Sequence, residues 1–289
     1  MSEALPDPAS FLSGESGTVA GKKLTVTRTA ADWTCNLAGL AALTGPRLDR
    51  LAAVQTPRRV LVLSIYRPGS LLATAAARLG SDRHDVTFAF GATAEPDPAL
   101  ASDTVLDGLA GGKFENLNRL LAASPPLDDF DWLIAADDDV ELAPRFLDRA
   151  LALCERLGLD IAQPAQTMRS HAAWRVTRRR PFSLARRTDY VEIGPVTLFS
   201  RRAAAELTPF PRLRFGWGLD NHWGALARER GWRLGILDAL PVRHESQKVA
   251  TTYTHAEAID EGRRFLAGRP YVTAAEAQRT LATIRRIPS

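Results

Sequence analysis

From Arg58 onward, short apolar runs alternate with stretches whose apolar residues recur at helical spacing. Val60-Leu61-Val62-Leu63-Ser64-Ile65 reads as a strand buried on both faces. Arg67-Pro68-Gly69 marks a turn, and Ser70 can cap a helix that runs to Leu79 and stops at Gly80. Val86-Thr87-Phe88-Ala89-Phe90 predicts a second strand. A connection rich in Pro, Asp and Gly then leads to a helix from about Lys113 to Ala123. The run from Trp132 to Ala136 predicts a third strand, and it stops on Asp137-Asp138-Asp139. Pro144 suits the first position of a helix through Leu157, with Gly158 as its stop. Leu159 to Ala162 is a further strand. This alternation predicts an α/β fold, a mostly parallel, doubly wound sheet flanked by helices.

The second half is less regular. Tyr190 to Phe199 is strand-like but interrupted at Gly194-Pro195, Leu219 to Glu229 is helical, and Arg233 to Leu237 is a strand leading to Pro241-Val242-Arg243-His244. Residues 1–57 carry Pro, Ser, Gly and Thr clusters and weak periodicity, so they are expected to form an N-terminal extension, mobile over its first 20 or so residues. Residues 58–250 are expected to form one main domain, and residues 251–289 a helical tail packed on it.

Composition narrows the class. At 289 residues, with 45% hydrophobic and 24% charged residues, the chain can bury a large core as an ordinary globular protein. Two cysteines, Cys35 and Cys154, supply neither a disulfide framework nor a metal cluster. The start, Met1 to Asp7, lacks the pattern of a signal peptide, and no apolar run reaches the length of a membrane span. A cytoplasmic location is the expectation. The net charge of +4 fits an anionic substrate without demanding one. Only four of the 37 cationic residues are lysine, a bias that discounts any single arginine cluster. The acid-free set Arg169, Arg175, Arg178, Arg179, Arg180, Arg186 and Arg187 could grip a diphosphate or simply be solvated. No aromatic platform accompanies it, so nucleic acid is not expected as a partner.

Three adjacent carboxylates at a strand end repel one another unless a cation sits among them. Ligands collect outside the carboxyl ends of strands in open α/β sheets. Hard oxygen ligands suit Mg²⁺ or Mn²⁺. The competing reading is a solvated turn or a helix cap. A second cluster is Phe215-Gly216-Trp217-Gly218-Leu219-Asp220-Asn221-His222-Trp223. Its glycines suit a backbone that passes close to a ligand, Trp217 offers a flat apolar face, and Asp220 can serve as an N-cap or as a base. His244, after a strand, is a structural residue or an acceptable Mn²⁺ ligand.

Taken in order, the acidic triplet, Gly-Trp-Gly-Leu-Asp and Val-Arg-His resemble metal-dependent GT-A glycosyltransferases, in particular the β-1,4-galactosyltransferase layout. Lys113-Phe114-Glu115-Asn116 stands where that layout has Lys-x-x-Asn, and Asp137 and Asp139 fit its Asp-x-Asp. Ile161 to Ala165, Val176 to Arg179, Gly216 to Asp220 and Gly235 to Asp238 also resemble an uncharacterised plant and bacterial family allied to these enzymes. The resemblance spans roughly residues 58–250. It implies a GT-A fold and transfer of a sugar from a nucleotide-diphosphate sugar, a UDP-sugar foremost, to an unknown hydroxyl acceptor with inversion. Asp139 and His244 would hold Mn²⁺ or Mg²⁺, and Asp137 and its neighbour Asp138 would face the donor. Lys113, Asn116 and Arg67 would help to hold it, Trp217 and Gly218 would floor a sugar, and Asp220 would take the acceptor proton. The chain departs from the pattern at Asn221, where an acid is usual. A metal-dependent phosphohydrolase or nucleotidyltransferase, or a non-catalytic nucleotide-sugar binder, remain the alternatives.

Overall fold

The computed structural model describes residues 4–13, 22–170, 172–244 and 254–287. Part of the N-terminal stretch expected to be mobile therefore lies outside the described residues. Within it, residues 4–13 are in place, and Phe11 is buried.

The strands are β1 (Arg59–Tyr66), β2 (Asp85–Ala92), β3 (Thr104–Leu106), β4 (Trp132–Ala136), β5 (Val140–Glu141), β6 (Ile161–Gln166), β7 (Ala185–Thr188), β8 (Val196–Ser200), β9 (Leu234–His244) and β10 (Thr280–Ile284). The helices are α1 (Lys22–Ala41), α2 (Thr44–Ala53), α3 (Leu72–Leu79), α4 (Lys113–Ala123), α5 (Phe146–Leu157), α6 (Arg201–Leu207), α7 (Leu219–Arg230), α8 (His255–Leu266) and α9 (Ala274–Ala277). One sheet has the order β10-β7-β9-β6-β8-β4-β1-β2-β3. β1 is parallel to β2 and β4, and β6 is parallel to β9, while β8 runs antiparallel between β4 and β6. β7 is antiparallel to β9 and β10.

The apolar runs are continuous because helices cover both faces. Val60, Val62 and Ile134 point into the core shared with α3 and α5. Leu61, Leu63, Leu133 and Ala135 point into the core shared with α4, α6, α7 and α8. Burying one such side chain stabilises by about 1.5–3 kcal/mol. Substituting Leu61 or Leu63 would open a cavity on one face only.

Several local expectations shift. Pro144 lies in the turn before α5, whose N-cap is Arg145 with φ of 56°. α3 begins one residue later than Ser70 would place it, with Leu71 as N-cap. The strand expected over Arg233 to Leu237 runs from Leu234 to His244. Of the Tyr190–Phe199 stretch, only the part from Val196 is strand. The C-terminal stretch carries β10 as well as α8 and α9.

The reversed β8 positions the site. Because it pairs Val196 with Ala136, the loop of residues 190–195 that feeds it arrives at the carboxyl end of β4. β9 overshoots β6 and pairs with β5, Val140 facing His244. Residues far apart in sequence thus meet around Asp137.

Candidate active site

The three carboxylates leave β4 in different directions, each toward its own basic partner. Asp137 Oδ1 accepts from Lys113 Nζ at 2.5 Å. Asp138, buried, turns back to Arg67, accepting from its backbone N–H at 2.9 Å and from Nε and a terminal nitrogen at 3.1 Å each. Asp139 Oδ1 lies 3.0 Å from His244 Nε2, and Asp137 Oδ2 lies 4.0 Å from the same nitrogen. This fork from Arg67 accounts for the middle acid. It also makes Arg67 a residue that fixes the turn, although its side chain remains exposed.

One carboxylate oxygen each of Asp137 and Asp139 and an imidazole nitrogen of His244 lie within 4.8 Å of one another. Two carboxylates and an imidazole form a donor set that could hold a divalent cation. His244 is held by the β5–β9 pairing, and its backbone N–H donates to Ser170 Oγ at 3.0 Å. Burial disfavours the His244 imidazolium, but the hydrogen bond to Asp139 and the charges of Asp137, Asp139 and Glu192 outweigh it, so its pKa is raised. Burial likewise pushes Asp139 up, and its contacts with His244 and the charge of Arg67 reverse this to a net lowering.

Beside the cluster lies a cavity of about 290 Å³, lined among others by Lys113, Asp137, Gln166, Glu192, Trp217, Gly218, Asp220 and His244. Phe11 to Ser13 close one side of it. A larger hollow of about 810 Å³ lies at the opposite, amino-terminal ends of the strands. Its acids Glu155, Asp131 and Asp160 are held by Arg58, Arg201 and Arg202, so no unclaimed carboxylate cluster faces it. Chemistry converges on the smaller cavity.

Asp220 is the second residue of α7, whose N-cap is Gly218, so it does not cap the helix. Its carboxylate accepts from Tyr190 OH at 3.1 Å and from the Ile193 N–H at 3.2 Å. Burial pushes it up to about 7 despite those two donors and Lys113. Glu192 was not anticipated from sequence. Its carboxylate accepts from Gln166 Nε2 at 3.0 Å, and burial together with the charge of Asp220 pushes it up to about 8. The available signal was a lone acid inside the apolar run Tyr190-Val191-Glu192-Ile193.

The glycines beside Trp217 serve packing. Gly216 has φ of +79°, and a Cβ there would stand 1.9 Å from Phe114 Cε2. Gly218 has φ of +87°, and a Cβ there would press on Leu266. The sequence pointed to close approach of a ligand; the close neighbours in the structure are the Phe114 and Leu266 side chains. Glu261 of α8 pins the loop by accepting from the N–H groups of Arg214, Phe215 and Gly216. Trp217 stays partly exposed at the cavity wall, its ring 5.6 Å from that of His255. One expected residue goes elsewhere. Asn116 is buried on α4, accepts from Arg119 at 3.3 Å and does not line the cavity. Asn221 donates to the Val272 carbonyl at 2.8 Å and ties α7 to the segment before α9.

No protein-family model matches this chain, and no curated protein matches its sequence. Solved structures do match. S. aureus TarS residues 1–349, in complex with UDP-GlcNAc, superposes with a TM-score of 0.50 at 12% identity over 72% of this chain and 65% of that one. GalNAc-T7 with UDP, GalNAc and Mn²⁺ gives 0.46 at 9% identity over 73% of this chain and 48% of that one. The chain thus spans less than two thirds of the length of either. The likeness to TarS establishes the fold as the GT-A type of glycosyltransferases, a mostly parallel sheet flanked by helices.

Proposed function

We propose that this protein transfers a sugar from a nucleotide-diphosphate sugar, a UDP-sugar foremost, to an acceptor hydroxyl with inversion. The observation that carries this reading is the convergence of Asp137, Asp139, His244 and Asp220 at the carboxyl end of β4. The GT-A fold supports it, and TarS was solved with UDP-GlcNAc.

Asp137, Asp139 and His244 would hold Mn²⁺ or Mg²⁺, the imidazole favouring Mn²⁺. Such an ion supplies Lewis-acid neutralisation of charge on a leaving diphosphate. Lys113 steadies Asp137 and brings a positive charge to the same wall. Arg67 keeps Asp138 turned away, so the outer two carboxylates remain aimed at the site. Trp217 provides an apolar face on which a sugar ring can lie. Asp220 accepts the proton of the attacking hydroxyl. A carboxylate raised to about 7 binds a proton more firmly than an ordinary aspartate, which suits a base at neutral pH. The hydrogen bonds from Tyr190 and Ile193 orient it. Direct displacement by an acceptor deprotonated at Asp220 would give inversion.

The test is donor turnover. Purified protein with Mn²⁺ is expected to release UDP from at least one member of a UDP-sugar panel. Asp139→Ala should abolish both turnover and Mn²⁺ binding measured by calorimetry. An Asp139→Ala protein that binds Mn²⁺ and turns over like the parent would refute the assignment of the cluster. Release of a nucleoside monophosphate with a sugar phosphate would instead identify phosphate-bond cleavage.

A further inference from the structure

α1 is packed in the opposite sense from an ordinary surface helix. The side that meets the body of the protein is small or polar: Cys35 and Ala38 are buried, Asp32 accepts from the N–H groups of Met168 and Arg169, and Asn36 accepts from Arg179. The large apolar residues point outward. Val26, Ala30, Trp33, Leu37 and Leu40 follow one another at spacings of four, three, four and three, which places them within about 80° on one side of the helix. Trp33 is 63%, Leu37 60% and Leu40 72% exposed. Leu43 and Phe182, also exposed, continue the ridge along a groove of about 800 Å³. An apolar strip of this extent marks an interaction surface.

Its surroundings define the partner. Arg47, Arg285 and Arg286 line the same groove, and Arg50 joins Arg47 and Arg286 in the adjoining hollow. Among the described residues none of these four forms an ion pair with an acid. The nearby Asp49 is already claimed by Arg145 and Arg149. A second copy paired two-fold across the groove would set these unpaired arginines against one another. A bilayer bearing anionic headgroups satisfies both halves of the surface, taking up indole and leucine side chains while the headgroups meet the guanidinium groups.

We propose that α1 and the arginines beside it dock the protein on an anionic lipid surface, lying on the membrane without crossing it. No helix among the described residues is long and apolar enough to cross. This inference rests on the ridge and its charge, independently of the proposed transfer reaction.

Vesicle flotation of the full chain tests it. The protein should float with phosphatidylcholine vesicles containing about a third phosphatidylglycerol, and not with phosphatidylcholine alone. Leu37→Ser with Leu40→Ser, and separately Arg285→Ser with Arg286→Ser, should each cut the bound fraction about tenfold. Circular dichroism verifies that each variant is folded. Should the leucine pair unfold, Trp33→Phe supplies the readout: the parent's emission should shift to the blue on adding anionic vesicles, and the variant should lose most of that shift. Absence of flotation with anionic vesicles, or equal flotation of folded variants, would overturn the proposal. So would a parent dimer in sedimentation equilibrium that Leu37→Ser converts to monomer, which would assign the ridge to a second copy.

Discussion

Asp220 shows how a side chain acquires its chemistry from what encloses it. Burial keeps its proton on up to about pH 7, against the pull of the Tyr190 and Ile193 donors, where a solvated aspartate would already be ionised. A base acts only when ionised, so transfer should be lost as pH falls through about 7 and retained above it. Asp220→Asn keeps the shape and removes the basic oxygen. Donor binding by calorimetry should survive, while turnover drops by about two to four orders of magnitude. Undiminished turnover would direct attention to Glu192, the other raised carboxylate of the same cavity. Asp220 could be picked out from sequence because it follows Gly-Trp-Gly. The pairing of Arg67 with Asp138 could not, because 71 residues separate them and only the β1–β4 register brings their turns together.

The loop between α6 and α7 illustrates the element scale. A methyl group at Gly216 would collide with the buried ring of Phe114, at a φ that side chains rarely adopt. Gly216→Ala is therefore expected to destabilise by about 3 kcal/mol in urea unfolding. It should also weaken donor binding, because Phe114 follows Lys113 directly on α4. β1 and β4 were legible in the sequence because strands buried on both faces must be continuously apolar. α1 was not legible as a helix docked on the core, because its apolar stripe points away from the protein and its inward side is small. β10 escaped notice for a related reason. A short edge strand with Leu281 and Ala282 exposed has no buried stripe to declare it. The direction of β8 is set by its neighbours, and no local pattern carries that information.

At the scale of the molecule, β7, β9 and the loop before β7 are joined by one buried ion pair. Arg186 is fully buried, donates twice to Asp238, and donates further to the carbonyls of Val176 and Arg178. Removing only one partner leaves an uncompensated buried charge. Asp238→Ala should cost about 3–5 kcal/mol, read as a lower denaturant midpoint. Three members of the arginine-rich stretch thus have structural duties: Arg186 holds strands together, Arg179 fastens α1, and Arg178 donates to the carbonyls of Met168, Ser170 and Ala172. The mostly parallel architecture was readable from strand–helix alternation, whereas this internal tie was hidden by the abundance of arginine.

Each acid of the Asp137–Asp139 turn comes with its own basic partner: Lys113, Arg67 and His244 in that order. When His244 is protonated, the turn is close to electroneutral without any metal. Loading a divalent ion becomes an ion-exchange reaction, in which charge held by the His244 proton or the Lys113 ammonium must give way. Two consequences follow. Protein stripped of metal by a chelator should stay folded and unfold in one cooperative thermal transition, with added Mn²⁺ raising the midpoint. Mn²⁺ affinity, measured by titration calorimetry, should climb as pH rises through the elevated His244 ionisation, with protons appearing in the buffer as metal enters.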